Sequence, residues 1–132
     1  MLRLLLVSLC VTITSALSAQ VSLKFCGEVQ KDGNCNTESS KFLISKEGGT
    51  IAFLLRQNGG LNLTDVRYKI FKVDSAGAET YTTSINQRVE KNWNFAWQDA
   101  VFYDAGNYEI KVFDAAEHEV LVCTNVVTLL VE

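Results

Sequence analysis

The chain has 132 residues, with 12 Lys and Arg against 15 Asp and Glu, and its net charge is −3. This length fits one domain with a substantial core. Because the sequence is mildly acidic and has no cluster of basic residues, we expect no binding to nucleic acid or to an anionic membrane surface.

Residues 1–19 have the pattern of a secretory signal peptide. Arg3 precedes an apolar run over residues 4–13, and small residues follow as far as Ala19. The run is shorter than the ~20 apolar residues that cross a bilayer, so no membrane insertion is expected after the signal is removed. The predicted mature domain, residues 20–132, carries 11 Lys and Arg against 15 Asp and Glu, which gives a net charge of −4. A secreted or periplasmic protein is predicted.

The predicted mature domain consists of short apolar-alternating runs separated by Gly, Asn and Asp turns. No run of ten or more residues has the 3.6-residue period of a helix, so an all-β fold is expected. Strands that bury one face each must pack as two sheets, and we predict an antiparallel β-sandwich of seven to eight strands. The polar run at 80–89 is typical of an edge or solvent-facing strand. The predicted strands are 21–25, 41–45, 50–57, 65–73, 80–89, 92–97, 107–114 and 119–132.

Three cysteines remain after residue 19. An odd number leaves one free thiol or one intermolecular bridge. Cys26 and Cys35 flank a polar loop and are candidates for a short disulfide, whereas Cys123 lies in a late strand and is interpreted as a buried small apolar residue. The sequence leaves the pairing open.

The segment Asp104-Ala105-Gly106-Asn107-Tyr108 resembles the Asp-x-Gly-x-Tyr motif of immunoglobulin-like domains. In that family the tyrosine hydroxyl bonds back to the backbone near the preceding turn, an arrangement called the tyrosine corner. The resemblance therefore implies an immunoglobulin-like β-sandwich with a structural tyrosine corner at Asp104, Gly106 and Tyr108.

Other positions differ from the antibody pattern. Ile110 stands where the second core cysteine would be, Phe53 or Leu55 is in the place of the first, and Tyr68 is in the place of the core tryptophan. The resemblance then implies a core held by aliphatic and aromatic packing, without a core disulfide. A broader likeness, from Phe25-Cys26 to the aromatic stretch at 92–114, is to small secreted domains of Bacteroidetes-type bacteria. It implies a compartment and a fold but no chemistry.

Trp93, Phe95 and Trp97 alternate along one predicted strand and share a face. They are interpreted in two ways. As an exposed platform they would stack on sugar rings or on a peptide. As core residues they would pack against the strand at 108–112, and this interpretation is favoured because large aromatic residues dominate cores.

Asp32, Asn34, Asn36 and Glu38 stand at alternate positions, as the first ligands of a calcium loop do. The glycine is at the second position of this stretch instead of the sixth, and the twelfth position is Leu43 instead of a carboxylate. We therefore interpret the stretch as a hydrated turn and predict no metal.

His118 is the sole histidine, and Asp114, Glu117 and Glu119 surround it in a predicted hairpin turn. Without a second nitrogen or sulfur ligand it is a weak zinc ligand, and a solvated turn is expected. No set of residues indicates nucleophilic catalysis or a cofactor, although a carboxylate pair for sugar hydrolysis, distant in sequence, stays open.

The leading functional hypothesis is an exported, non-catalytic binding or structural module for protein interaction or adhesion. Its contacts would come from loops at one end of the sandwich or from an exposed strand at 79–89. The alternative is a carbohydrate-binding module that uses the aromatic face from Trp93 to Trp97. A secreted enzyme is the third and weakest hypothesis. The protein or glycan partner is not identified by the sequence.

Overall fold

The computed structural model describes residues 20–132, so the predicted signal peptide at 1–19 lies outside the described residues. Nine β-strands account for most of the described chain, and no helix in it is long and apolar enough to cross a membrane. The strands are β1 (Ser22–Val29), β2 (Cys35–Glu38), β3 (Lys41–Ile44), β4 (Gly49–Arg56), β5 (Asp65–Val73), β6 (Glu79–Arg88), β7 (Phe95–Phe102), β8 (Gly106–Asp114) and β9 (Val120–Val131).

The strands form two sheets that pack face to face, as the alternating sequence pattern predicts. The four-stranded sheet has the order β2-β1-β4-β7, and the five-stranded sheet has the order β3-β9-β8-β5-β6. The expectation that β6 is an edge strand is confirmed, because within residues 20–132 it pairs with β5 alone.

The strand pairing is mixed instead of fully antiparallel. Six of the seven strand pairs in residues 20–132 are antiparallel, but β3 runs parallel to β9. These two strands are far apart in the chain, so no tight hairpin turn forces an antiparallel direction. The pair is extended at both ends by backbone hydrogen bonds, from Thr128 N to Ser40 O (2.8 Å) and from Glu132 N to Ile44 O (3.1 Å).

Strand β2 was not predicted. Its sequence, Cys-Asn-Thr-Glu, is short, polar and mostly exposed, and therefore carries no apolar alternation. It forms because it follows β1 through a tight loop and pairs with it in the register Cys26–Glu38 and Val29–Cys35. Strand β2 thus becomes the outer edge of the four-stranded sheet.

The core is a cluster of rings and aliphatic side chains between the sheets. Phe53 is fully buried in the middle of β4, and its ring centroid lies 5.7 Å from that of Phe25, 5.7 Å from that of Tyr68 and 6.2 Å from that of Phe102. Ile110 is also fully buried. The expectation that aliphatic and aromatic packing fills the antibody cysteine and tryptophan positions is confirmed.

The turn before β8 is fixed by Tyr108. Its hydroxyl donates to the carbonyl oxygen of Asp104 at 2.9 Å, while its ring packs edge-on against Phe102, with 4.9 Å between centroids. Gly106 has φ of 151°, and a side chain there would meet the end of Lys72. The assignment of Asp104, Gly106 and Tyr108 to a tyrosine corner stays a prediction.

Cys123 lies on β9, half-buried against the core and unpaired among the cysteines of residues 20–132. It is less enclosed than predicted. Burial raises the pKa of its thiol to about 11, so the thiol stays protonated at neutral pH. Burial, and secondarily Cys123, also raise the pKa of Tyr68, whose hydroxyl donates to Gln87 Oε1 at 2.6 Å.

Candidate ligand-binding groove

The three predicted platform aromatics lie on the outer surface of the four-stranded sheet. Trp93 is 41% exposed, Trp97 is 37% exposed, and Phe95 is half-buried. The favoured interpretation that they belong to the core was therefore wrong. The inward positions of β7 are taken instead by Ala96, Ala100 and Phe102.

The pairing of β7 with β4 explains this orientation. Residues directly opposite each other in an antiparallel pair share a face of the sheet. Trp97 pairs with Leu54 and Phe95 pairs with Arg56, whereas the inward Phe53 pairs with Gln98. The aromatic residues consequently follow the outward positions of β4.

Trp93 precedes β7, which begins at Phe95 instead of at residue 92 as predicted. Backbone hydrogen bonds hold the turn that carries it. Trp93 N donates to Glu90 O at 3.1 Å, and Trp93 O accepts from Leu61 N at 2.6 Å. The next carbonyl, of Asn94, accepts from Gln57 N at 2.9 Å. Trp93 is therefore held beside β7 by the β4–β5 connection.

The floor of the site, formed by Phe95 and Trp97, rests on a second, smaller apolar cluster. Cys26, Ala52 and Leu54 are buried although they face away from the main core, and Phe95 packs against them. The rings of Phe95 and Trp97 are nearly parallel, with 6.3 Å between centroids and 14° between planes. The cluster thus supports a stack of two rings, Phe95 and Trp97.

The β1–β2 loop, residues 30–34, forms a wall over this floor. Gly33 is buried there with φ of 87°, and a Cβ at this position would lie 2.7 Å from Phe95 Cδ1. The backbone therefore approaches the ring as only glycine allows. Arg56 fixes the contact, because its Nη2 donates to Gly33 O while its guanidinium lies 5.5 Å from the Phe95 ring centroid.

A disulfide between Cys26 and Cys35 closes the base of this loop, so the pair considered from sequence is present, with 5.6 Å between Cα atoms. It joins β1 to β2 within the four-stranded sheet and does not connect the two sheets. Cys26 is fully buried in the floor cluster. The disulfide therefore ties the wall to the floor.

Phe95, Trp97, Trp93 and the wall line a groove of about 620 Å³, a size typical of ligand sites. Five polar residues line it: Lys31, Asp32, Arg56, Gln87 and Asn94.

Gln87 already makes hydrogen bonds through both ends of its amide, since its Nε2 donates to Trp97 O at 2.8 Å and its Oε1 accepts from Tyr68. Lys31 and Asn94 are exposed and face the groove's solvent side. Sequence reasoning identified the aromatics but missed Lys31, Arg56 and Gln87.

The residues considered as calcium ligands do not converge. Asp32 accepts from Asn34 N at 3.0 Å and from Asn34 Nδ2 at 2.9 Å, as in a polar turn. Asn36 lies on β2 near Glu28, and Glu38 forms an ion pair with Lys24 at 3.7 Å. Within residues 20–132, no group of three or more His, Cys, Asp or Glu side chains is arranged to hold a metal ion.

His118 lies in the exposed β8–β9 connection, where a turn was predicted. It lines a shallow cavity of about 380 Å³ together with Asp114 and Glu117. Glu119 turns to the five-stranded sheet, where it accepts from Lys69 Nζ at 2.5 Å and Arg67 Nη1 at 2.6 Å. These hydrogen bonds, first that of Lys69, lower the pKa of Glu119.

Comparisons with known proteins identify the fold. No protein-family model matches the chain, and no curated protein matches it. An immunoglobulin-like protein from Pseudomonas aeruginosa is similar in structure, with a TM-score of 0.52, 8% identity, and coverage of 88% of this chain and 99% of the other. A CARDB domain from Pyrococcus furiosus, solved in complex with di-metal ions, has a TM-score of 0.45 and 11% identity, with coverage of 87% and 94%. Residues 20–132 therefore form an all-β, immunoglobulin-like sandwich.

Proposed function

We propose that the chain is an exported, non-catalytic binding module that holds a carbohydrate chain in the aromatic groove. One observation carries this proposal. Both tryptophans of the chain are exposed beside the same groove, and neither is buried in the core. Exposed large aromatic residues that cluster in a concave site are typical of ligand recognition.

The geometry suits the chemistry of a sugar. A pyranose ring has a face of C–H groups, which are slightly positive and pack against the negative face of an aromatic ring. Phe95 stacks on Trp97, so a sugar would pack against the exposed surface of Trp97, and Trp93 borders the same groove. The amide of Asn94 and the charged head of Lys31 stand at the rim, where they can bond to sugar hydroxyl groups.

The same lining favours binding over hydrolysis. Glycoside hydrolysis ordinarily uses two carboxyl groups that flank the scissile bond. The lining of this groove contains a single carboxylate, Asp32, and both of its oxygen atoms already accept hydrogen bonds from Asn34.

The proposed compartment rests on two supports. The Cys26–Cys35 disulfide is compatible with an extracellular location, since disulfides persist in oxidising compartments. The pattern of residues 1–19 predicts export. The proposal therefore includes secretion, or export to a periplasm.

A glycan array followed by calorimetric titration tests the proposal. For a glycan that binds, the Trp97→Ala variant should lose about 30-fold in affinity, the effect of truncating a central aromatic contact. Its free energy of unfolding should change by less than about 1 kcal/mol, because Trp97 is exposed.

The matched control is Tyr103→Ala, which removes another exposed aromatic, just beyond the far end of β7. It should bind as the natural chain does. If no glycan binds, or if Trp97→Ala binds as well as the Tyr103→Ala control, the groove is not a carbohydrate site.

A second candidate function is pairing with an extended segment of another protein along β6. Strand β6 is a ten-residue edge strand without proline, and its residues from Glu79 to Thr83 are exposed. Such edges accept added strands through backbone hydrogen bonds. Hydrogen-exchange protection of β6 amides by a purified partner would favour this function. Protection confined to the groove would show that this partner does not pair with β6.

A further inference from the structure

We infer that the groove selects an acidic sugar, one that carries a carboxylate such as a uronic acid. This inference rests on the proposed function, since it specifies the ligand of the same groove. It is carried by the charges of the lining, in which Lys31 and Arg56 face one carboxylate, Asp32.

Asp32 is occupied within its own loop. Its Oδ1 accepts from Asn34 N at 3.0 Å, and its Oδ2 accepts from Asn34 Nδ2 at 2.9 Å. An ionised carboxylate can only accept hydrogen bonds, so its turn contacts reduce what it offers to a ligand hydroxyl. Asp32 therefore acts mainly as a structural member of the wall.

The two cations are not neutralised by neighbours. Across residues 20–132, neither Lys31 nor Arg56 has a carboxylate oxygen within ion-pair distance, whereas Arg67, Lys69 and Lys111 on the other sheet all do. Lys31 is exposed at the rim of the groove. Its ammonium can reach an anion that the groove holds.

Of the two cations, Arg56 is better placed than Lys31 to bind a carboxylate. The Gly33 carbonyl and the Phe95 ring fix its guanidinium at the side of the aromatic surface. Only its Nη2 is bonded to Gly33, and a guanidinium has five N–H donors arranged in a fork that matches a carboxylate. Arg56 and Trp97 line the same groove, so a sugar that packs on Trp97 can place its carboxylate toward this fork.

The local positive charge is notable because the domain is acidic. Residues 20–132 carry 11 Lys and Arg against 15 Asp and Glu. A general attraction of the domain to anions is therefore not expected. Attraction must be local to the groove, and at a surface site it should weaken as salt is added.

Titration of the full domain with matched pairs of oligosaccharides tests the inference. The probes are oligogalacturonate with its methyl ester, and oligomannuronate with oligomannose, so that the members of a pair differ in charge. The acidic member should bind more tightly, and its advantage should disappear in roughly 1 M salt, where screening acts over about 3 Å. Lys31→Gln should weaken binding of the acidic member by roughly fivefold and affect the neutral member much less, because the glutamine amide can still donate to a hydroxyl group.

Two further variants make the result decisive. Arg56→Lys keeps the charge but loses the fork, and should also weaken the acidic member selectively. Lys46→Gln makes the same charge change in the β3–β4 turn, at the opposite end of β4, and should have no effect. Equal binding of acidic and neutral members, with loss in Trp97→Ala, would overturn the inference and leave the proposed function standing. Binding of no member, acidic or neutral, would count against both.

Discussion

Replacement of Phe53 by alanine is expected to lower the free energy of unfolding by about 4 kcal/mol. Phe53 is fully buried at the centre of β4, and its ring contacts Phe25 of the same sheet and Tyr68 of the opposite one. Truncation removes the transfer free energy of the ring and leaves a cavity that neighbouring strands cannot fill. Urea unfolding followed by circular dichroism measures the loss.

The control for this prediction is Phe53→Leu, which keeps most of the volume and should cost less than about 1.5 kcal/mol. A cost below about 2 kcal/mol for Phe53→Ala would contradict the account of the core, because it would place Phe53 in a site that readily collapses. The same experiment in the Trp97→Ala background tests whether core and groove contribute independently, because the two side chains lie on opposite faces of the four-stranded sheet.

Loss of the Cys26–Cys35 disulfide is expected to have the second-largest effect. A double Cys26→Ala/Cys35→Ala variant should lose about 3 kcal/mol of stability, on the order of 10 °C in Tm, because a closed loop of this length restricts the unfolded chain. Ligand affinity should fall as well, since the loop that carries Lys31 and Gly33 is tied to the floor at this point.

Cys123→Ala is the matched control, because it removes a cysteine that forms no disulfide within residues 20–132. It should leave ligand affinity unchanged, and its cost in stability should be small because Cys123 is half-buried. Calorimetry and ligand titration of both variants test the prediction. Unaltered affinity in the double variant would show that the wall holds its position without the disulfide.

Much of the fold could be predicted from local pattern. Strands β5 and β8 alternate cleanly, and Phe53, Tyr68 and Ile110 are buried where the family resemblance implied core residues. Period-two alternation is a strong signal because one face of each strand must be buried. Strand β2 has no such signal, since disulfide and hairpin geometry hold its polar residues in place.

The direction in which β7 faces could not be predicted. Alternation separates two faces but does not say which one is buried, and the larger side chains were assigned to the core. The structure places Ala96 and Ala100 inward, because Phe53, Tyr68 and other rings from neighbouring strands already fill that part of the core. The small inward residues and the outward tryptophan of β7 show which face of the strand is buried only when its pairing with β4 is known.

The groove itself joins residues that are distant in sequence. Lys31, Arg56 and Trp97 come from three separate parts of the chain and meet because β1, β4 and β7 are neighbours in one sheet. Sequence reasoning therefore found the aromatic part of the site, where the residues alternate within one short stretch, and missed the charged part. A lysine in a loop between two cysteines was the one available hint.

Nuclear magnetic resonance of the two indole N–H groups tests the central claim most directly. The chain has two tryptophans, Trp93 and Trp97, and both line the groove, so both signals report on it. On titration with an oligosaccharide that binds, both indole signals and the side-chain amide of Asn94 should shift, while the backbone amides of β6 from Glu79 to Thr83 stay in place. Saturable binding that leaves both indole signals unchanged and shifts signals elsewhere would contradict the assignment of this groove as the binding site.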